Sequence, residues 1–160
     1  MRAVLLVALA LVGCHRAPAA DDTAGGRLEA AAIARGLVTA PGAVGLAGVW
    51  AGDTDRLCAL AADGVLRLGA SVDYGEGQAC AASGTAEQHG ARLRVSFAGC
   101  RFDASFDGER IAFPAALPGG CARYCRGRAS LAAFAVERLS DSAAEAAALR
   151  GANGRLLCGV

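Results

Sequence analysis

Six of the seven cysteines are spread along the sequence, and their thiols could bind a metal ion or form disulfides: Cys58, Cys80, Cys100, Cys121, Cys125 and Cys158. Structural zinc sites usually draw their thiolates from close pairs such as Cys-x-x-Cys. Here the only near pair is Cys121 and Cys125. The wide spacing therefore predicts up to three disulfides among the six cysteines, in a pairing that the sequence leaves open. We expect Cys158 to be tied back to an early strand, with Cys58 as the candidate partner.

Residues that could carry out catalysis are scarce. The sequence has two histidines, His15 and His89, and a Ser-His-Asp hydrolase would need His89 as its base. Ser71 lies in the stretch 69–73 (GASVD), which lacks the second glycine of the Gly-x-Ser-x-Gly nucleophile elbow. Cysteines in disulfides cannot be nucleophiles, because the thiolate is the reactive form. We therefore predict no catalytic residue, no metal site and no cofactor.

A cluster of basic side chains surrounds Cys125 and consists of Arg123, Arg126 and Arg128 together with Tyr124. Guanidinium groups bind carboxylates and phosphates through two parallel hydrogen bonds. The cluster is therefore the candidate contact for an anion or an anionic partner. The alternative is a solvated loop whose arginines pair with nearby Asp and Glu residues.

The overall charge limits the partners of the chain. All 16 basic residues are arginine, and they nearly balance the 15 acidic residues, so that the formal net charge is +1. Nucleic-acid binding depends on an excess of positive charge against the phosphates. We therefore predict no nucleic-acid partner.

The first residues have the order of a secretory signal peptide. Arg2 provides a positive start, the run Ala3–Val12 is wholly apolar, and small residues precede Cys14. As a helix, this run would rise about 15 Å, at roughly 1.5 Å per residue, whereas the bilayer hydrocarbon is about 30 Å thick. The run is thus too short for a lasting transmembrane helix. Export would place the other cysteines in an oxidising compartment, where disulfides form.

Leu11-Val12-Gly13-Cys14 resembles the bacterial lipobox. The resemblance implies that the Cys14 thiol receives a diacylglyceryl group and that a peptidase cuts before Cys14, which makes residues 1–13 the signal peptide. Several acyl chains anchor a protein stably, because each buried CH₂ contributes about 0.8 kcal/mol. His15, in place of an aspartate, implies the outer membrane. The alternative is an ordinary signal peptide cut elsewhere, for example after Ala19.

Residues 14–26 are small, polar and contain Pro and Gly, which predicts a flexible tether that begins at the lipidated Cys14. We expect residues 27–160 to form a single β-rich domain. Good helix formers predict a helix over residues 27–38, capped by Asp22 or Thr23 and ended by Gly36. A second helix is expected over residues 143–150, because Ser142 and Glu145 have the spacing of a capping box.

Short strands with turn signals fill the region between the two predicted helices. Asp63-Gly64 and Asp107-Gly108 predict hairpins, a turn is expected at His89-Gly90, and residues 92–97 alternate polar and apolar side chains as a half-buried strand does. Residues 131–139 are ambiguous between strand and helix, and we favour a strand. About eight strands at regular intervals predict a small antiparallel meander barrel or sandwich, stapled by disulfides and flanked by the two helices.

Two further resemblances bear on this fold and on function. Gly48-Val49-Trp50 resembles the Gly-x-Trp of the first strand of lipocalin-type barrels, and the alternative, which we favour, is that Trp50 is simply the largest core anchor. The format of lipobox and stapled barrel is similar to that of small lipoprotein inhibitors of lysozyme. Their Ser-Gly-x-x-Tyr stretch is half met by Ser83-Gly84, where Glu87 replaces the tyrosine.

These features lead to a functional hypothesis. We expect a lipoprotein of the cell envelope, anchored to the outer membrane through Cys14, that acts as a non-enzymatic binding module for an unidentified ligand or envelope protein. The alternatives are a lysozyme inhibitor, an envelope hydrolase with a polar cleft of titratable groups, and a structural spacer.

Overall fold

The computed structural model describes residues 24–34 and 45–159, and the chain divides into two units, residues 1–44 and 45–160. In the first unit, the helix α1 covers Ala24–Ala34. It begins three residues before the predicted position, because the amides of a first turn have no partner within the helix and Gly25-Gly26 are tolerated there. The signal peptide, the lipobox, the caps proposed at Asp22 and Thr23, and Gly36 lie outside the described residues. Neither helix in the described ranges is long and apolar enough to cross a bilayer.

The second unit is a closed antiparallel barrel. Its strands, in chain order, are β1 Gly48–Ala51, β2 Asp55–Ala62, β3 Val65–Asp73, β4 Ala79–His89, β5 Arg92–Phe97, β6 Cys100–Phe106, β7 Arg110–Ala112, β8 Cys125–Arg126 and β9 Ala135–Ser140. Each strand from β1 to β6 pairs with the next, β7 pairs with β9, and β9 pairs with β1, which closes the ring. Strand β8 lies outside the ring and pairs with the start of β4. Of the two predicted architectures, the meander barrel is therefore confirmed.

The hairpin turns follow from local chemistry. Asp63 and Gly64 both have positive φ, 53° and 76°, as the type I′ turn requires. The other two turns lie one residue later than expected, because His89 pairs with Arg92 across Gly90-Ala91 and the Asp107 amide donates to the Arg110 carbonyl. The Asp107 carboxylate accepts hydrogen bonds from the amides of Glu109 and Arg110, which holds Asp107 before the turn and lowers the pKa of its carboxyl.

Large apolar side chains fill the interior of the barrel. Trp50 is fully buried and contacts Phe106 edge-on, with ring centroids 5.8 Å apart, so that its role as a core anchor is confirmed. The predicted alternation of β5 is also confirmed, since Leu93, Val95 and Phe97 are buried and Arg94 is exposed. The other large, fully buried side chains are Leu57, Leu68, Val72, Ile111, Leu131 and Val136.

The end of the barrel where the chain enters, here called the entry end, carries Gly45 and the turns at Gly64, Gly90 and Gly108. Arg138 of β9 lies across this end. Its guanidinium carbon is 4.1 Å from the centroid of the Trp50 ring, and its Nη2 donates to the carbonyls of Gly45 and Gly108 at 3.1 Å each. Arg138 therefore joins the chain entry, the β6–β7 turn and the core.

The opposite end, here called the loop end, is covered by residues 113–134, which connect β7 to β9. A chain of aromatic rings underlies this connection: Phe97, Phe102, Phe113, Phe134 and Tyr124, with neighbouring centroids 4.6 to 6.1 Å apart. Such contacts contribute about 0.5–1.5 kcal/mol per pair beyond area burial. Both ends of the barrel are thus occupied by protein side chains.

The strand predicted over residues 131–139 is only partly correct, because β9 covers Ala135–Ser140. Residues 131–134 form a turn in which Ala133 has a φ of 58° and its amide donates to the Pro114 carbonyl. This turn buries both Leu131 and Phe134, three positions apart, which a strand could not do on one face.

A second, smaller core lies on the outer face of β1 and β2. The helix α2, Ala143–Ala148, and the following segment pack there, and the cluster consists of Val49, Cys58, Ala146, Leu157 and Cys158. The Ser142 side chain accepts a hydrogen bond from the Glu145 amide, which is one half of the predicted capping box, whereas the Ser142 amide donates to the Ser140 hydroxyl. The helix α2 also ends before Arg150. The Cys58–Cys158 disulfide fastens this layer to β2 and confirms the predicted pairing.

Candidate functional site

The arginine cluster lies on the loop end of the barrel. Residues 113–134 contain Arg123, Arg126 and Arg128 and no acidic residue. A 3₁₀ helix covers Gly119–Tyr124, and the two residues of β8 follow it. Disulfides and strand pairing hold this segment against the barrel.

Two disulfides fix this segment, which we call the arginine loop (residues 119–128). Cys100–Cys121 links it to β6 and Cys80–Cys125 links it to β4, with Cα–Cα distances of 4.7 and 4.0 Å. Together with Cys58–Cys158, these bonds pair all six candidate cysteines, so the prediction of disulfides is confirmed.

Tyr124 adds a non-covalent attachment to the same segment. Its hydroxyl donates to the Ala98 carbonyl at 2.6 Å, and its ring meets Phe97 edge-on at 5.8 Å. Tyr124 therefore positions the arginine loop over the core. The arginines next to it project from a rigid base.

The arginines have few protein partners. Arg123 donates from Nε to the Gly120 carbonyl at 3.0 Å, and its guanidinium packs against Gly99. Arg126 and Arg128 are exposed. Within residues 24–34 and 45–159, the three ion pairs involve other arginines and His89, so none joins a carboxylate to the arginine loop.

A cleft of about 200 Å³ opens beside the arginine loop. Arg123, Tyr124 and Arg126 form one wall, residues 79–81 of β4 form another, and Ala152 and Asn153 form the third. Arg128 is not part of the lining. The structure thus brings together the arginine cluster and two segments that the sequence did not connect with it, and no motif in those segments signals their role.

Ser71 fixes the third wall of the cleft. Ser71 is 4% exposed, and its hydroxyl donates to the Cys80 carbonyl at 2.9 Å and accepts from the Ala152 amide at 2.9 Å. The serine of the elbow-like stretch therefore joins β3, β4 and the C-terminal segment. This structural role accounts for its burial.

The remaining candidate residues lie apart from the cleft. His89 ends β4 and lies 3.6 Å from Glu87, and both side chains are largely exposed. Ser83 and Gly84 belong to the same strand. Cys14 lies outside the described residues. Among the described residues, no group of three or more His, Cys, Asp or Glu side chains is placed to hold a metal ion.

The comparisons with known proteins assign this chain to no family. No protein-family model matches the sequence, and no curated protein or solved structure is significantly similar to it.

Proposed function

We propose that this protein is a lipoprotein of the bacterial outer membrane, anchored through Cys14, whose barrel binds an anionic envelope partner without catalysing a reaction. The arginine loop is the observation that carries the binding role. It presents three arginines and no acidic residue, and two disulfides hold it in place. A preorganised surface loses little conformational entropy on binding.

The three disulfides support the envelope location. Such bonds persist in oxidising compartments and are rare in the cytosol. The order of the first fourteen residues and their resemblance to the lipobox support anchoring through Cys14. The disulfides and the lipobox lie in different parts of the chain.

The position of the arginine loop is compatible with an anchored protein. The chain enters the barrel at Gly45, which Arg138 holds at the entry end. The arginine loop lies at the loop end, where Tyr124 bonds Ala98 between β5 and β6. Gly45 and the arginine loop therefore lie at opposite ends of the barrel.

Binding without catalysis is supported by the composition of the cleft and of the core. The cleft is lined by arginine, tyrosine, asparagine, alanine and disulfide cysteines. A hydrolase would need titratable acid and base groups in such a cleft. The barrel interior is packed with apolar side chains, and both barrel ends are closed.

Affinity capture from detergent-solubilised membranes tests the binding role. The variant Arg123→Ala/Arg126→Ala/Arg128→Ala should lose its partner. The control Arg92→Ala/Arg94→Ala/Arg101→Ala removes the same charge from exposed positions on β5 and β6 and should retain it. Equal capture by both variants would remove the arginine loop from the proposal.

Lysozyme inhibition is the second candidate function. A closed barrel with three disulfides matches the format of the lipoprotein inhibitors that the sequence resembles. An inhibition assay with the purified protein and its Ser83→Ala variant tests this candidate. Full lysozyme activity at a large excess of the protein would eliminate it.

A further inference from the structure

We infer that the cleft beside the arginine loop is a recognition site for the terminal carboxylate of a peptide that ends in a small apolar residue. The inference deepens the proposed function, because it takes the arginine loop as the contact surface and names the chemical group that it binds. Its basis is the pattern of hydrogen-bond donors and methyl groups around the cleft.

Arg126 supplies the main pairing group. Its guanidinium has five N–H donors in a planar fork, and none of them has a hydrogen-bond or ion-pair partner in the described part of the chain. Its backbone is fixed, because β8 pairs with Ala79 and Cys80 and because the preceding residue, Cys125, forms a disulfide with Cys80. The fork is therefore available at a defined place on the cleft wall.

Asn153, on another wall of the cleft, supplies a second donor. Its Oδ1 accepts a hydrogen bond from the Arg155 amide at 3.0 Å. This bond uses the acceptor of the side chain and leaves the Nδ2 amide group as a donor. The wall itself is fastened to the barrel by the Ala152–Ser71 hydrogen bond.

The charged side chains on the cleft lining are Arg123 and Arg126, and no carboxylate belongs to that lining. A group that only accepts hydrogen bonds and carries a negative charge is complementary to such donors. Carboxylates and phosphates both meet this requirement. The apolar part of the lining distinguishes between them.

Ala79, Ala81 and Ala152, whose side chains are methyl groups, are among the residues that line the cleft. A phosphate has no apolar part that could contact these methyls, whereas a terminal residue such as alanine carries a carboxylate and a methyl group on one carbon. The volume of about 200 Å³ equals roughly six or seven water molecules at about 30 Å³ each, which leaves room for one small residue.

The strand pattern explains why the cleft is open. On one edge, β4 pairs with β8 at Ala79 and Cys80 and with β5 from Gly84 onward. Residues 81–83 lie between these two partners, and Ala81 is on the cleft lining. Ala81 is therefore a cleft residue at a position of β4 that has no strand partner on this edge.

A titration with three small probes tests the inference. Binding is monitored by the ¹⁵N NMR signals of the arginine Nε–H groups and of the Asn153 Nδ2 group. The purified lipidated protein in detergent is mixed with acetyl-alanyl-alanine, with the same dipeptide as its C-terminal amide, or with inorganic phosphate. We expect the free acid to bind and to shift the Arg126 and Asn153 signals. The amide should bind about tenfold more weakly, because it lacks the charge.

Substitutions identify the group responsible. Arg126→Gln should weaken binding of the free acid by about tenfold, while Arg92→Gln, at an exposed arginine of β5 outside the arginine loop and the cleft lining, should change it less than about twofold. Equal binding of acid and amide, tighter binding of phosphate, or equal effects of the two variants would each overturn the inference. If membrane partner capture still depended on the three arginines, the proposed function would stand while this inference failed.

Discussion

Removing the Cys58–Cys158 disulfide should cost more stability than removing Cys100–Cys121, and the difference can be estimated from the lengths of chain that they close. The two bonds span 100 and 21 residues. The loop-closure model gives about 4.7 kcal/mol for the first and about 3.3 kcal/mol for the second, a difference of about 1.4 kcal/mol.

The two pairs form a matched comparison, because their exposures are 0% and 2% for Cys58 and Cys158, and 0% and 3% for Cys100 and Cys121. Replacing each pair with alanine therefore removes similar buried atoms, and the loss of packing largely cancels in the difference. Reversible urea unfolding of the two double variants measures it. With a slope of about 1–3 kcal/mol per molar urea, the midpoints should differ by about 0.5–1.4 M. Equal midpoints, or a lower one for the Cys100/Cys121 variant, would refute the reasoning.

Three further substitutions test the local interactions. Arg138→Met should lower the free energy of unfolding in urea by about 2–4 kcal/mol, because it removes the contact with the Trp50 ring and two hydrogen bonds to carbonyls. The control Arg110→Met, which removes an exposed ion pair, should lower it by less than about 1 kcal/mol. A similar cost for both would contradict this. Asp107→Asn should lower the urea midpoint at neutral pH. A carboxylate with a lowered pKa stabilises the fold above its ordinary pKa, here 3.8, and ceases to do so as pH falls through the folded-state pKa. The difference from the parent should therefore vanish on acidification below 3.8. A difference independent of pH would count against this. Ser142→Ala should cost about 1 kcal/mol through loss of the α2 cap, measured in the same way, and no change would exclude a role for the cap.

The sequence predicted those parts of the fold that depend on neighbouring residues. Asp63-Gly64 specified its turn because few other residues accept positive φ at both positions, and the alternation in residues 92–97 specified which face of β5 is buried. The turn predicted at Asp107-Gly108 lies one residue later in the structure, because the Asp107 carboxylate accepts hydrogen bonds from two backbone amides and so determines where the turn begins. Residues 131–134 were misread because burial of Leu131 and Phe134 depends on tertiary packing.

The candidate site was predictable only in part. The arginine cluster could be identified from residues 123–128, since its chemistry is local in the sequence. The cleft could not, because Ala79 and Asn153 lie far from it along the chain and reach it through the Cys80–Cys125 disulfide and the Ser71 hydrogen bonds. The closure of the entry end by Arg138 was likewise invisible, since an arginine in a strand gives no sign that it will cover a tryptophan.

Mass spectrometry of the intact protein purified from membranes tests the central proposal most directly, since a single spectrum reports both the processed N-terminus and the state of the thiols. Our account predicts a chain that begins at Cys14, carries acyl groups on that residue and contains no free thiol. A chain without lipid, or one whose remaining cysteines react with a thiol reagent before reduction, would contradict it.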